Sequence, residues 1–279
     1  MNHQSTLTLS ENCPICFGGR TESFICKTEK MWKCCDCHFI FLDQKRRNKI
    51  NQMELFCESN NFEFWSIPKY YEKYHSIFIK YFDRRYAILK KYLKSPFTIL
   101  DVGCGHAFWG QYLANKGEIY QGIDISSDVI HSTKSGPLNI HCSSFENFET
   151  TDRFQCLTLC DVLEHMPEPR KMIQKCSALL YPSGLLYIQV PSVFGLKIPF
   201  GHDPGLPFHF WHFSQKNLRQ LLEDEGFEII KLETGILGII GKMEKQNKIY
   251  FWQQLFWAVA RCFKRGNRLQ ILAKKIKTD

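Results

Sequence analysis

Long apolar runs are missing from this chain of 279 residues. A membrane-spanning helix needs roughly 20 consecutive apolar residues, so an integral helical membrane protein is excluded. Met1 to Asn12 is polar and lacks the apolar centre of a secretion signal. Without such a signal, the thirteen cysteines read as reduced thiols and metal ligands rather than as a disulfide framework. The expected compartment is therefore the cytoplasm. Net charge is also missing from most of the chain: Met1 to Gly241 holds 26 basic and 26 acidic residues. The formal charge of +8 belongs to the tail, where Lys242 to Asp279 carries ten lysines and arginines against Glu244 and Asp279. A neutral body is poor material for gripping a phosphate backbone. Disorder is excluded in turn by a hydrophobic content of 44%, with 14% aromatic residues, enough for a sizeable core.

Two paired thiols stand out near the N-terminus, Cys13-Pro-Ile-Cys16 and Cys34-Cys-Asp-Cys37, with seventeen residues between them. Two C-x2-C knuckles at this separation have the spacing of a structural zinc ribbon, in which four thiolates close a tetrahedral shell. Cys13, Cys16, Cys34 and Cys37 are the expected ligands; Cys35 and His38 are the residues most easily mistaken for them. The ribbon carries four basic and five acidic residues between Glu11 and Asp43, which favours a structural or docking role over nucleic-acid binding.

From Phe62 to Phe82 the chain is dense in aromatics, and Tyr70, Tyr74, Phe78 and Tyr81 recur at helical spacing. Core packing on the main domain is the expectation, with a lid over a substrate pocket as the sharper alternative. Strand and helix then alternate. The candidate strands are Thr98–Val102, Glu118–Ile123, Leu138–His141, Cys156–Cys160, Gly184–Val190 and Glu228–Leu232. The clearest helices are Arg170–Leu180 and Gln215–Glu225, with the turn Tyr181-Pro-Ser-Gly184 ending the first. This alternation predicts a Rossmann-like α/β fold with a mostly parallel sheet and helices on both faces. Arg268–Ala273 is expected as an antiparallel edge strand. The domains read as 1–45, ribbon; 46–95, helical linker or substrate cap; and 96–279, the main domain, with a basic aromatic helical insertion near 242–266.

The chemistry starts at Ile99-Leu-Asp-Val-Gly-Cys-Gly105, an apolar strand that ends on Asp101 and breaks into Gly103 and Gly105 before a helical segment. This is the strand–glycine-turn–helix of a nucleotide-binding unit. A carboxylate beside the turn repels a pyrophosphate but suits an ammonium and a sulfonium. The spacing agrees: a dinucleotide fingerprint needs a small residue at Phe108, whereas a G-x-G-x-G pattern needs it at Ala107. The expected ligand is S-adenosylmethionine, the expected activity methyl transfer. Asp124, 23 residues beyond Asp101, ends the next strand, where an acid binds ribose hydroxyls. The fourth strand ends in Cys160-Asp-Val-Leu-Glu-His165, which places Glu164 and His165 at the same crevice.

The motifs ILDVGCG, GIDIS, DVLEHMPEP, LLYPSGLLYIQVP and HFWHFSQKNLRQLLEDEGF follow one another between about residues 98 and 232. In order and spacing they resemble class I S-adenosylmethionine-dependent methyltransferases of the ubiquinone-biosynthesis O-methyltransferase type. The ribbon and the WKCCDCHFIFL stretch look like a subset acting in bacterial surface-glycan and sugar pathways. The resemblance implies a seven-stranded sheet, and a cofactor site in which Asp101, Gly103 and Gly105 hold the methionine end and Asp124 the ribose. It puts Ser144 and Phe145 at the adenine, with Ile125 and Asp161 beside them. The family often has an acid where Ser144 stands.

His165 is the candidate general base, because an imidazole near neutrality suits proton removal from a hydroxyl, and Glu164 is placed to orient it or bind substrate. The competing reading has His165 capping the next helix, whose first turn would hold Pro167. His209 follows a Gly/Pro-rich loop and is expected to line the pocket, while His212 packs. In the tail, an aromatic helix from Ile249 to Phe263 with basic flanks suits either a cap or peripheral contact with anionic lipid at the inner face of the membrane through 249–268. The expected acceptor is a hydroxyl of a sugar, lipid-linked glycan or small metabolite. An rRNA base methyltransferase with an N-terminal zinc site and a non-catalytic cofactor-binding scaffold are the alternatives.

Overall fold

The computed structural model describes residues 11–50, 71–72, 75–127, 138–193, 205–235, 259, 262–263 and 265–276. Three strands open the chain: β1 (Thr21–Cys26), β2 (Glu29–Cys34) and β3 (Ile40–Leu42). A one-turn helix, α1 (Gln44–Arg47), follows, its first turn capped by Asp43, whose side chain accepts from the Lys45 amide. The second unit runs α2 (His75–Leu89), β4 (Thr98–Val102), α3 (Phe108–Asn115), β5 (Ile119–Asp124), β6 (Asn139–Cys142) and β7 (Phe154–Cys160). It continues through a 3-10 turn (Leu163–His165), α4 (Pro169–Leu179), β8 (Leu180–Pro191), β9 (Trp211–His212), α5 (Gln215–Asp224), β10 (Phe227–Gly235) and β11 (Arg268–Lys275).

Seven strands form one sheet in the order β10-β11-β8-β7-β4-β5-β6. The pairs β4/β5, β5/β6, β4/β7 and β7/β8 are parallel, and only β11 runs against its neighbours. The Rossmann-like, mostly parallel sheet expected from the alternation is the observed one. Strand order reverses at β4, which has β5 on one side and β7 on the other, and a crevice opens at such a switch point. One expectation is overturned. Arg268–Ala273 is not an edge strand but lies between β8 and β10. Leu269, Ile271, Leu272 and Ala273 are all buried, and a strand covered on both faces belongs inside a sheet. The edge goes to β10, whose residues from Glu228 to Glu233 are half-buried or exposed.

The sheet carries an apolar core on each face. On one, α2 lays Phe78, Phe82 and Leu89 against Trp109, Tyr112 and Leu113 of α3. The predicted core packing of this aromatic helix is thus seen in part; Phe62 to Tyr70 and Tyr74 lie outside the described residues. On the other face, Leu218, Leu221 and Leu222 of α5 and Met172, Ile173 and Cys176 of α4 pack on the strands. That core is continuous with the ribbon, because Phe39, Phe41, Phe210, Trp211 and Phe213 are buried together in it. The ribbon also borrows a strand: its sheet runs β1-β2-β3-β9, and β9 comes from beyond residue 200. The helix predicted near 249–263 lies almost wholly outside the described residues. Val259 and Phe263 are described and exposed. No helix among the described residues is long and apolar enough to cross a membrane.

Candidate active site

The turn after β4 is built from alternate residues in the left-handed region: Gly103 (φ 69°), Gly105 (φ 52°) and Ala107 (φ 52°). The backbone path asks for glycine at each, and Ala107 meets the third at the cost of strain. A Cβ on Gly103 would stand 2.4 Å from the Val162 side chain, so this glycine lets the turn pack on the segment after β7. A Cβ on Gly105 would meet nothing within 4 Å and would fill open space in the crevice. The amides of Gly103 and Cys104 both donate to the Ile123 carbonyl, at 2.8 and 3.0 Å, which ties the turn to β5. Ala107 offers no side-chain cap to α3, leaving its first-turn amides available to a ligand.

Asp101 is buried, with Thr158 donating to Oδ1 and Tyr120 donating to Oδ2 at 3.1 Å. Burial raises its pKa; the two hydroxyls and the nearby Arg85 charge oppose the rise. Asp124 binds both flanking loops, taking the Gly105 amide on Oδ2 (2.8 Å) and the Ser126 amide on Oδ1 (2.9 Å). Each oxygen keeps a lone pair for a ligand hydroxyl. Ile125 beside it is half-buried. Ser144 accepts from the Asn147 amide at 3.3 Å, and the Phe145 ring is buried under the Lys175 ammonium. Asp161, itself at φ 58°, is engaged on the other side: Gln189 donates to Oδ2 at 2.8 Å, and Arg268 of β11 lies 3.1 Å from Oδ1.

Glu164 and His165 sit on the 3-10 turn that follows β7. His165 Nδ1 lies 2.9 Å from the Phe208 carbonyl, which can only accept, so Nδ1 carries the proton and Nε2 is the basic nitrogen. Burial pushes the His165 pKa down to about 4, so the ring is neutral but a weaker base than the near-neutral imidazole expected from the sequence. Glu164 is fully buried, and neither carboxylate oxygen has a hydrogen-bond partner among the described residues. Burial and the Asp161 charge push its pKa well up. The His209 ring stands edge-on to His165, centroids 4.8 Å apart. Ligand atoms of Glu164, His165 and His209 all lie within 4.8 Å of one another, close enough to hold one polar substrate or a cation between them. His212 is buried in β9. His165 does not cap the next helix, which starts at Pro169 rather than around Pro167 and has no side-chain cap.

In the ribbon, Cys13 Sγ and Cys37 Sγ lie 3.5 Å apart, as do Cys16 Sγ and Cys34 Sγ. All four sulfurs lie within 4.8 Å of one another. A tetrahedron with zinc–sulfur bonds of about 2.3 Å has edges of about 3.8 Å, so the donor set fits zinc. Burial raises the thiols of Cys13 and Cys37, the latter to about 11, whereas amides of Cys37 and Asp36 hold Cys34 below the ordinary value despite burial. A cation among them offsets the burial of thiolate charge. Cys35 and His38 stay outside the cluster.

A family model described as a methyltransferase domain matches residues 73–232, more than half of the chain. The chain belongs to this methyltransferase family. It is 32% identical over 155 residues to the ubiquinone biosynthesis O-methyltransferase of Coxiella burnetii, covering 50% of this chain and 66% of that protein. The Glaesserella parasuis enzyme of the same name is 34% identical over 107 residues, with 32% of this chain and 43% of that one covered. The match thus spans less than two thirds of either relative. Among solved structures, the plantazolicin methyltransferase BpumL in complex with SAH superimposes with a TM-score of 0.58 at 16% identity, covering 84% of this chain and 97% of that chain. An S-adenosylmethionine-dependent methyltransferase from Clostridium acetobutylicum gives a TM-score of 0.51 at 12% identity over 80% and 96% of the two chains. These likenesses show the fold. The fold is that of S-adenosylmethionine-dependent methyltransferases.

The structure also shows a buried arginine that sequence reasoning missed. Arg85 of α2 lies between Trp109 and Tyr187, its guanidinium 4.9 and 5.1 Å from the two rings. Its Nε is buried with no hydrogen-bond partner among the described residues. Burial works against the charge, but Cys160, Tyr187 and Asp101 hold it protonated. The available signal was an arginine on the apolar stripe Phe78, Phe82 and Leu89.

Proposed function

We propose that the methyltransferase alkylates a hydroxyl of a sugar, lipid-linked glycan or small metabolite, with His165 as general base. The observation that carries this reading is a buried, neutral imidazole whose proton is held on Nδ1 by the Phe208 carbonyl, beside the glycine turn's crevice. S-adenosylmethionine, when bound, supplies a methyl group on a sulfonium leaving group. The residues fit it: open space at Gly105, an uncapped α3 and the unpartnered Nε of Arg85. Arg85 would pair with the carboxylate of the methionine end, Asp101, Gly103 and Gly105 would hold its ammonium side, and Asp124 the ribose. Ile125, Ser144, Phe145 and Asp161 form the rest of the cofactor wall in this reading.

His165 Nε2 would take the proton of the acceptor hydroxyl, and the bound cofactor would supply the methyl group that replaces it. Alignment is the protein's main contribution to such a displacement. His209 and Glu164 line the acceptor side, where burial favours the uncharged form of the Glu164 carboxyl. Structural zinc in the Cys13, Cys16, Cys34 and Cys37 cluster is part of the same proposal. Labelled S-adenosylmethionine supplied with fractionated small-molecule, glycolipid and RNA pools tests it. Label entering the first two pools supports the reading; label confined to RNA overturns it.

A further inference from the structure

The ribbon reaches the base through one segment. Backbone pairing joins Phe41 to Trp211 and Ile40 to His212, and the Leu42 amide donates to the Phe210 carbonyl at 2.9 Å. Residues 208–211 in turn hold the turn that carries Glu164 and His165 at three successive points. The Phe208 carbonyl accepts from the His165 ring, the Phe210 amide donates to the Glu164 carbonyl at 2.8 Å, and Trp211 Nε1 donates to the Met166 carbonyl. Trp211 is itself gripped by the ribbon: its ring lies 6.2 Å from Phe39 and 6.4 Å from Phe41, and the Arg47 guanidinium stands 4.6 Å over it. Six residues further along, Asn217 Nδ2 donates to the carbonyl of Cys37 at 3.0 Å, tying α5 to the cysteine cluster.

From this we infer that Trp211 is a positioning residue for His165, and that the four-cysteine ribbon is part of the acceptor site rather than an appendage. The inference rests on the reading of His165 as the base. Its physical content is that the indole N–H and the β3/β9 pairing fix where the Leu163–His165 turn sits, and thereby where Nε2 points. Displacing such a group by about 1 Å can cost on the order of a hundredfold in rate without any change at the cofactor.

The test uses full-length protein with 13C-labelled histidine, in which the His165 ring signal is identified by its loss in His165→Ala. Trp211→Phe keeps an aromatic ring in the core but removes the N–H. The expected results are a shifted or broadened His165 signal and a rate of methyl transfer to a fixed small-molecule pool lowered about tenfold. S-adenosylhomocysteine affinity, by calorimetry, stays within about twofold. In the His165→Ala background, Trp211→Phe should lower the residual rate no further, because coupled residues are non-additive. Stripping the cysteine cluster of metal with a chelator should move the same His165 signal, a check that does not depend on the variant folding. An unmoved His165 signal in both experiments, or the same rate loss with and without His165, overturns the inference. If His165→Ala leaves the rate intact while Trp211→Phe still moves the signal, the base assignment fails and the mechanical link stands.

Discussion

The two sides of the crevice are built in opposite ways. The cofactor side is local: Asp101, the two glycines and Asp124 come from one strand–turn–helix–strand unit, and its loops are bonded to each other through Ile123 and Asp124. On the proposed reading, the acceptor side is assembled from the turn after β7, the 205–213 segment and, through β9, the ribbon. Two buried glutamates make the same contrast. Glu118 accepts from the Tyr86 hydroxyl, the Phe97 amide and Ser95, and is a finished structural knot. Glu164 has no hydrogen-bond partner among the described residues, a state that a water, an ion or a catalytic role accounts for in buried polar groups. On the proposed reading, the local half holds the methyl donor and the composite half the acceptor.

Breaking the ribbon should have the largest effect and leave the cofactor side standing. Cys13→Ser is expected to take bound metal from about one per chain to none, and to remove hydrogen-exchange protection from β1 to β3. S-adenosylhomocysteine affinity should stay within about twofold; a parallel loss of affinity would erase the distinction between the halves. Gly103→Val attacks the other side. With φ at 69° and the Val162 side chain 2.4 Å from the new Cβ, it should cost about 4 kcal/mol in denaturant unfolding and abolish cofactor binding. Gly105→Ala is the milder partner. Nothing stands within 4 Å of its Cβ, so stability should fall by only about 1 kcal/mol, while calorimetry shows about tenfold weaker cofactor binding.

The smallest effect is a flat one. With its pKa held down to about 4, His165 is still unprotonated at pH 6.5, so the rate should show no acid limb near pH 6.5 from this residue. Stability has the opposite dependence. The unfolded ring takes up its proton first, so the contribution of the neutral folded ring is present above about 6.5 and is lost as pH falls towards about 4.

What could be read from the sequence follows the same division. Asp101, Gly103, Gly105 and Asp124 were legible because a turn writes its backbone demands into consecutive residues. The four cysteines were legible because a tetrahedral shell fixes their spacing, and Glu164 and His165 because strand ends share one edge of the sheet. The composite half was not. β9 is two residues long, and nothing local in Pro-Phe-His-Phe-Trp-His-Phe shows that it pairs with a strand 170 positions earlier. Arg268–Ala273 carried its apolar pattern openly, but whether such a strand sits inside or at the edge depends on what covers its neighbour. Arg85 was legible only as an arginine on the apolar stripe of Phe78, Phe82 and Leu89, with the charged Asp83 and Arg84 beside it masking the signal.

The division of labour is tested most directly by His165→Ala, with calorimetric binding of S-adenosylhomocysteine and transfer of labelled methyl measured on the same preparation. Unchanged affinity with transfer lowered at least about a hundredfold is the predicted result. Transfer at the wild-type rate, or loss of affinity alongside transfer, would contradict it.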